Sequence, residues 1–248
     1  MYRDCEILEN KNLFKDIYLL KIKNNFDFQI YPGQFAMIRI NNSLDPLLSR
    51  PFSFYNASED SLEFLYQIKG RGTSLLSERK RGEKLKVLAP LGRGFPYPEV
   101  SKKIAIIGGG IGIAPLNFLL LELNRGGIKP DIYLGFSTYV PNIILSNFID
   151  NSHSLVITTE DGSLGNRGII TDYIEDLDRY DLIYACGPIL MLKKIWEMIE
   201  DKGKLYLSLE ERMGCGIGIC LSCYIGGKDK NMHICKDGPV LSGAEVIL

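Results

Sequence analysis

The sequence predicts a multidomain α+β protein: an all-β first unit, a parallel α/β second unit and a short cysteine-rich tail. Three observations predict it. Short β-like runs separated by turn residues fill the first hundred positions, strand and helix patterns alternate through the middle, and four of the six cysteines crowd between 215 and 235.

In the first unit, placed at residues 1–98, the runs Ile17 to Ile22, Gln34 to Ile40, Leu62 to Ile68 and Glu83 to Leu88 have strand character. Strands at that spacing build a small barrel or a sandwich. The second unit, residues 99–208, reads Ile104 to Ile107 strand, Pro115 to Asn124 helix, Ile132 to Phe136 strand and Leu155 to Thr159 strand. It continues as Ile169 to Leu177 helix, Leu182 to Ala185 strand and Pro188 to Lys202 helix. Such alternation predicts a parallel sheet with helices on both faces. The tail is residues 209–248, with no low-complexity linker before it.

Two motifs of the first unit converge on one chemistry. Arg50-Pro51-Phe52-Ser53 carries a guanidinium able to fork onto a pyrophosphate, and Gly70-Arg71-Gly72-Thr73 opens a helix whose free N–H groups suit the same anion. Ser53 adds a short hydroxyl for the polar edge of an isoalloxazine ring. Alone, each motif is a common turn or N-cap.

Gly108-Gly109-Gly110-Ile111-Gly112 follows an apolar strand and opens a helix, the setting in which a glycine run reads as a dinucleotide site. The competing reading is a loop that only packs strand on helix. Cys186-Gly187-Pro188 ends the last predicted strand, at the carboxyl edge where ligands collect. No acidic residue stands at the usual ribose position, so this feature does not separate NAD from NADP.

The tail spaces its cysteines C-x4-C-x2-C-x11-C: Cys215, Cys220, Cys223 and Cys235. The first three match the plant-type 2Fe-2S arrangement, with glycines at 214, 216 and 218 to let the backbone wrap tightly. A zinc-stabilised binding module is the alternative, although zinc modules usually present two short pairs across a longer insert. Cys5 and Cys186 stand apart and read as small buried hydrophobes.

Taken in order, these motifs resemble the ferredoxin-reductase superfamily, joined by Ala89-Pro90-Leu91-Gly92-Arg93-Gly94-Phe95 and Thr159-Glu160-Asp161-Gly162-Ser163. Within it, Glu210 to Gly218 and the ending Cys235-Lys236-Asp237-Gly238-Pro239-Val240 are most similar to electron-transfer subunits of class 1B dihydroorotate dehydrogenases. The resemblance covers essentially the whole chain. It implies an N-terminal antiparallel β-barrel for FAD, a central α/β parallel-sheet domain for NAD and a small C-terminal iron-sulfur segment. Residue by residue, it implies FAD contacts at Arg50, Pro51, Phe52, Ser53, Leu65, Tyr66, Gln67, Gly72 and Thr73. NAD falls on Gly108, Gly109, Gly110, Gly112, Cys186, Gly187 and Pro188, and the cluster on Cys215, Cys220, Cys223 and Cys235. Phe52 departs from the tyrosine of many relatives. The implied partner is an FMN-containing catalytic subunit oxidising dihydroorotate to orotate in pyrimidine biosynthesis, two copies of each chain forming a heterotetramer. A rival enzyme built from similar parts is the small subunit of a ferredoxin- or sulfide-linked NAD(P)H oxidoreductase.

Composition narrows the rest. With 248 residues, 46% hydrophobic and a net charge of -1, the chain has length for two compact units and no charge for a nucleic-acid partner. The uncharged stretch Ile104 to Leu121 contains four glycines and a proline, so it is not expected to span a membrane. Reduced thiols and the absence of an apolar leader point to the cytoplasm. Hydride transfer needs no general base, so His153 and His233 are expected to be surface or hydrogen-bonded loop residues.

Overall fold

The computed structural model describes residues 1–41, 43, 45–98 and 102–248. The first unit contains β1 (Arg3–Phe14), β2 (Ile17–Lys23), β3 (Phe35–Arg39), β4 (Arg50–Ser53), β5 (Asn56–Ala57) and β6 (Ser61–Gln67). A short helix, α1 (Arg71–Ser77), precedes β7 (Lys84–Leu91). The seven strands form one sheet in the order β4-β3-β7-β1-β2-β6-β5, antiparallel at every pairing. Among the described residues, β4 and β5 remain its two edges. The sheet nevertheless curls: Phe52 of β4 sets its ring edge-on to Phe64 and Tyr66 of β6, at 6.4 and 5.8 Å between centroids. Ile7, Leu20, Ile22, Ile38, Phe54, Phe64 and Val87 fill the interior of that curl.

Three of these strands escaped the sequence reading: β1, β4 and the two-residue β5. In β1 only Cys5 and Ile7 are fully buried while Asp4, Glu6, Glu9 and Lys11 face water, so the apolar signal is every second residue at best. One wet face suffices for an antiparallel strand. Arg50 to Ser53 was read as a motif between strands, whose Arg-Pro is commonly a turn; it is edge strand β4, where the donor missing at Pro51 breaks no ladder.

The second unit runs β8 (Ile104–Gly109), α2 (Ile113–Arg125), β9 (Asp131–Phe136), α3 (Asn142–Asn151), β10 (Ser154–Thr159) and β11 (Asn166–Arg167). It continues with β12 (Leu182–Cys186), α4 (Ile189–Met198) and β13 (Leu205–Ser208). The expected helix over Ile169 to Leu177 is only a 3-10 turn at Ile170–Tyr173. Ile170, Ile174 and Leu177 are all buried, which gave the stretch a helical spacing, yet Ile169, Ile170 and Thr171 are β-branched and poor helix formers. Helix α4 stops before the expected Lys202, whose ammonium folds back onto the carbonyls of Trp196 and Ile199. A cation there satisfies groups that the helix end leaves free.

The tail adds β14 (Tyr224–Ile225), β15 (Met232–His233), α5 (Ile234–Asp237) and β16 (Val240–Ser242). Strand β16 is not a separate piece. It pairs antiparallel with β13 and completes the second sheet, β11-β10-β9-β8-β12-β13-β16, which is otherwise parallel. The tail also reaches the first unit, where Arg93 N–H donates to the Gly238 carbonyl at 2.6 Å, while Leu209 N–H donates to the Pro239 carbonyl at 2.9 Å. The boundary expected at 98/99 abuts residues 99–101, which lie outside the described residues.

Gly92 sits where tail and first unit meet. Its φ is +72°, and a Cβ there would come within 2.5 Å of Pro239 Cδ and 2.7 Å of the Gly238 carbonyl. Gly82 has φ +88° but open space around it. Gly92→Ala should therefore cost about 2–4 kcal/mol, strain plus overpacking, and Gly82→Ala about 1 kcal/mol, strain alone. Urea unfolding of both variants checks this, and equal losses would contradict the close contact.

Candidate functional site

A cleft opens between the two units. Arg50, Pro51, Phe52 and Ser53 of β4 line one side with Leu65, Tyr66 and Gln67 of β6, Lys69 and Thr73; Phe35, on β3, joins them. Ile111, Ala114, Pro115, Ser208 to Glu211, Met213 and Pro239 line the other. Eight of the nine residues expected at FAD are thus brought together, and the ninth, Gly72, lies beneath Arg50. A Cβ at Gly72 would stand 2.7 Å from Arg50 Nε, so the glycine lets the guanidinium lie across the start of α1. Thr73 Oγ1 accepts from the N–H groups of Lys69 and Gly70, at 2.9 and 3.2 Å, and donates to the Gly70 carbonyl. Its hydroxyl shapes the turn, and Arg50 and Lys69 are the cations that line the cleft on this side, facing Glu210 and Glu211 on the other.

Beyond Gln67 and Lys69 the cleft continues into a groove lined by Gly109, Gly110, Ile111, Gly112, Gly187, Pro188, Ile189, Leu192, Leu209 and Glu210. The glycines are explained by close approach. A Cβ at Gly112 would meet the Cys186 carbonyl carbon and oxygen at 2.7 Å, and one at Gly109 would meet Pro188 Cδ at 2.7 Å. The glycine loop and the Cys-Gly-Pro turn therefore lie backbone against backbone at the carboxyl ends of β8 and β12. Gly108 and Cys186, also expected at NAD, sit behind this surface. Gly108 is packed among Leu134, Ile113 and Leu116, and burial holds the Cys186 thiol far above its ordinary range.

Lys69, Ile111, Leu209 and Glu210 line both cleft and groove and were not singled out from sequence. No motif marks Lys69. Glu210 was visible inside the Glu210 to Gly218 run but carried no assigned role.

The cysteine loop is the third part. Its sulfurs form two pairs. Cys215 and Cys220 exchange backbone N–H to Sγ contacts at 3.4 Å, and Cys235 N–H approaches Cys223 Sγ at 3.4 Å. Ile217 and Gly218 aim their N–H groups at Cys215 Sγ and Cys235 Sγ, at 3.4 and 3.0 Å. Such donors stabilise sulfur carrying negative charge. Ser222, through hydroxyl and backbone, and then Cys215 bring the exposed Cys220 thiol down to about 6. Burial and then the Cys223 sulfur push Cys235 up to about 12.

Among the described residues, no three His, Cys, Asp or Glu side chains gather as ligands of one ion. Two thiolates per iron is what a 2Fe-2S centre takes, and four thiols in two N–H-lined pairs fit that group.

The loop is seated against the first unit. Gly216, at φ +75°, would drive a Cβ to 2.4 Å from Met37 Cγ on β3. Phe35, two residues along the same strand, lines the cleft, as does Met213, two residues before Cys215. Cysteine loop and cleft are thus joined by one strand and by the two-residue step from Met213 to Cys215. His233 differs from expectation: its Nδ1 is buried without a hydrogen-bond partner, its ring edge-on to Tyr224. No helix among the described residues is long and apolar enough to cross a membrane.

Comparison with known proteins matches this geometry. A model of the iron-sulfur cluster binding domain of dihydroorotate dehydrogenase B matches residues 210–247. The chain is 40% identical to the dihydroorotate dehydrogenase B (NAD(+)), electron transfer subunit, of Clostridium acetobutylicum, over 98% of this chain and 96% of that one. The subunit of the same name from Geobacillus sp. is 38% identical, over 98% and 97%. A solved NADH-dependent reduced ferredoxin-NADP oxidoreductase structure superposes with a TM-score of 0.86 at 25% identity, over 98% of this chain and 89% of that one. A ferredoxin NADP+ reductase from Neisseria gonorrhoeae with bound FAD and NADP gives 0.67 at 17% identity, over 83% and 97%, and speaks to the fold alone. With a ferredoxin-reductase-like fold, a matched iron-sulfur tail and relatives alike over nearly their full length, the chain belongs to the family of dihydroorotate dehydrogenase B (NAD(+)) electron transfer subunits.

Proposed function

We propose that this chain moves the reducing equivalents that an FMN-containing catalytic partner takes from dihydroorotate to NAD+, in pyrimidine biosynthesis. The observation that carries the reading is the contiguity of three sites: paired cysteines, a cleft reached from them through Met37, Phe35 and Met213, and a glycine-lined groove sharing that cleft's wall. An iron-sulfur cluster exchanges single electrons, nicotinamide exchanges a hydride, and a flavin does both, so the three are useful in that order.

In this reading each part of the chain has a separate task. The curled first sheet acts as a barrel for FAD, with Arg50 holding the pyrophosphate and Ser53, Leu65, Tyr66 and Gln67 placing the ring. Phe52 contributes packing in place of a hydroxyl. The groove at Gly109, Gly110, Gly112, Gly187 and Pro188 admits NAD, while Gly108 and Cys186 support it from behind. Cys215, Cys220, Cys223 and Cys235 hold the 2Fe-2S cluster. Around the exposed Cys220, Ile217, Ile219 and Leu221 are 48%, 75% and 58% exposed, an apolar rim suited to the catalytic partner in a heterotetramer. Six free cysteines fit the reducing cytoplasm.

Mixed with the catalytic subunit, the purified protein should let dihydroorotate reduce NAD+. Activity with NADPH and ferredoxin but none with dihydroorotate would move it to the rival oxidoreductase.

Cys220→Ser should remove the cluster, abolish NAD+ reduction by dihydroorotate and leave the partner's reaction with artificial acceptors intact. Iron and acid-labile sulfide content measure the first effect, and retention of both would refute the ligand set.

Arg50→Ala should weaken FAD by about 1.5–3 kcal/mol, on the order of ten- to a hundredfold in Kd, the worth of a charge-assisted contact. Flavin retained on ultrafiltration as in the wild type would take Arg50 out of the site.

A further inference from the structure

On the far side of the glycine loop from Pro188 lies a second crevice, which shares Leu65, Gln67 and Gly110 with the sites above and is otherwise lined by residues with no assigned role. Gly110, Ile111 and Ile113 form one end of it, and Phe136, Ser137, Thr138, Tyr139 and Val140, at and beyond the carboxyl end of β9, form a wall. The opposite wall belongs to the first unit: Phe14, Lys15, Asp16 and Ile17, the turn joining β1 to β2. The Phe14 and Tyr139 rings meet across it edge to face, 5.7 Å between centroids at 75°. Tyr139 is 41% exposed, much for a tyrosine with no hydrogen bond to hold its hydroxyl among the described contacts.

The β1–β2 turn is built to hold its position. Lys15 takes φ 48°, a conformation that side chains other than glycine and asparagine seldom adopt. Asn12 donates its side-chain amide to the Lys15 carbonyl at 2.7 Å. Asp16 accepts from the Gln67 amide at 2.7 Å, and its carbonyl accepts from Ile68 N–H at 2.9 Å. Gln67 lines the cleft, the groove and this crevice alike, so the turn is tied to the residue where all three meet. Lys15 Nζ lies 5.1 Å from the Phe14 ring centroid, which leaves a cation beside the aromatic pair.

The chemistry of this crevice is that of a purine nucleotide site: a ring face to stack on, a ring edge to abut, a nearby ammonium, and a glycine loop at one end. We propose that the β1–β2 turn of the first sheet is part of the dinucleotide site, Phe14 and Tyr139 together holding the adenine of NAD with Lys15 beside its phosphates. The inference rests on the reading of the glycine loop as the NAD site. It gives the first unit a role in recognising the nucleotide, beyond that of holding the flavin. A dinucleotide laid across Gly110 and Ile111 then has its nicotinamide half toward Pro188 and Glu210 and its adenosine half toward Tyr139.

The test uses the flavin- and cluster-loaded protein. Tyr139→Ser and Phe14→Leu should each raise the Kd for ADP-ribose, measured calorimetrically, by about tenfold, the worth of one base-on-aromatic contact. KM for NADH in flavin reduction should rise in parallel while kcat holds, because the adenosine half is remote from the reacting carbon. Tyr139→Trp, which keeps a ring, should restore wild-type ADP-ribose binding. Wild-type Kd in both Tyr139→Ser and Phe14→Leu would overturn the proposal while leaving the NAD reading intact. A wild-type protein that neither binds ADP-ribose nor is reduced by NADH would overturn both. Because Tyr139 stands on the surface, Tyr139→Ser tests the contact even if Phe14→Leu disturbs the packing of the turn.

Discussion

The constraint on which this molecule turns is close backbone approach at the junctions between its parts. Gly216 admits the cysteine loop to within contact of Met37, Gly92 admits the Gly238-Pro239 turn to the first sheet, and Gly109 and Gly112 admit the Cys186-Gly187-Pro188 turn to the glycine loop. At each junction a single methyl group would intrude on atoms 2.4 to 2.7 Å away. Side chains of ordinary size would hold the parts apart, and sites that must exchange electrons would lose their proximity. Close packing, with few voids, makes such positions intolerant of even one added carbon.

The tail enforces these approaches from both ends. Its final strand, β16, is hydrogen-bonded into the second sheet, while the preceding turn is bonded to Arg93 of the first unit. Between those anchors and β13 runs the segment Leu209 to Met213, whose Leu209, Glu210, Glu211 and Met213 line the cleft before the cysteine loop. Any shift of the loop is therefore transmitted to the cleft wall. Titratable side chains play little part in this arrangement. The Cys186 thiol is buried and held protonated, and the depressed Cys220 thiol is one of the four proposed for the cluster. The chain's work is to hold groups at fixed positions, which is what transfer of electrons between cofactors asks of a protein.

How much of this was legible in the sequence depends on the signal each feature leaves. Arg50 to Ser53 and Thr73 did meet in one cleft, with Gly72 beneath Arg50: each motif alone is a common turn or N-cap, and it was their pairing that carried the signal. The parallel sheet was legible too, since strands buried on both faces read as unbroken apolar runs. Strand β1 was hidden by its charged outer face, and β16 by its distance in sequence from the sheet it completes. The false helix at Ile169 to Leu177 shows the limit of periodicity: burial every three or four residues also arises in an irregular segment laid over a core. Lys69 and Glu210 were missed because their importance comes from two cavities meeting, a property of the packing that no local pattern contains.

The zinc and two-iron readings of the tail use the same four thiols and differ in how the sulfurs gather. A tetrahedral ion draws its ligands to one centre, each about 2.3 Å from the metal. Here Cys215 lies with Cys220 on the exposed side and Cys223 with Cys235 on the buried side, and N–H donors reach sulfurs of both pairs. That division fits a 2Fe-2S group, for which Cys215, Cys220, Cys223 and Cys235 would supply the thiolates. The two cysteine pairs also differ in surroundings: Cys220 is exposed beside Ser222 and Cys215 half-buried, while Cys223 and Cys235 are buried. Hydrogen bonding to sulfur and solvent exposure both shift cluster potentials, so a cluster held by these four thiols would meet an asymmetry already built into the fold.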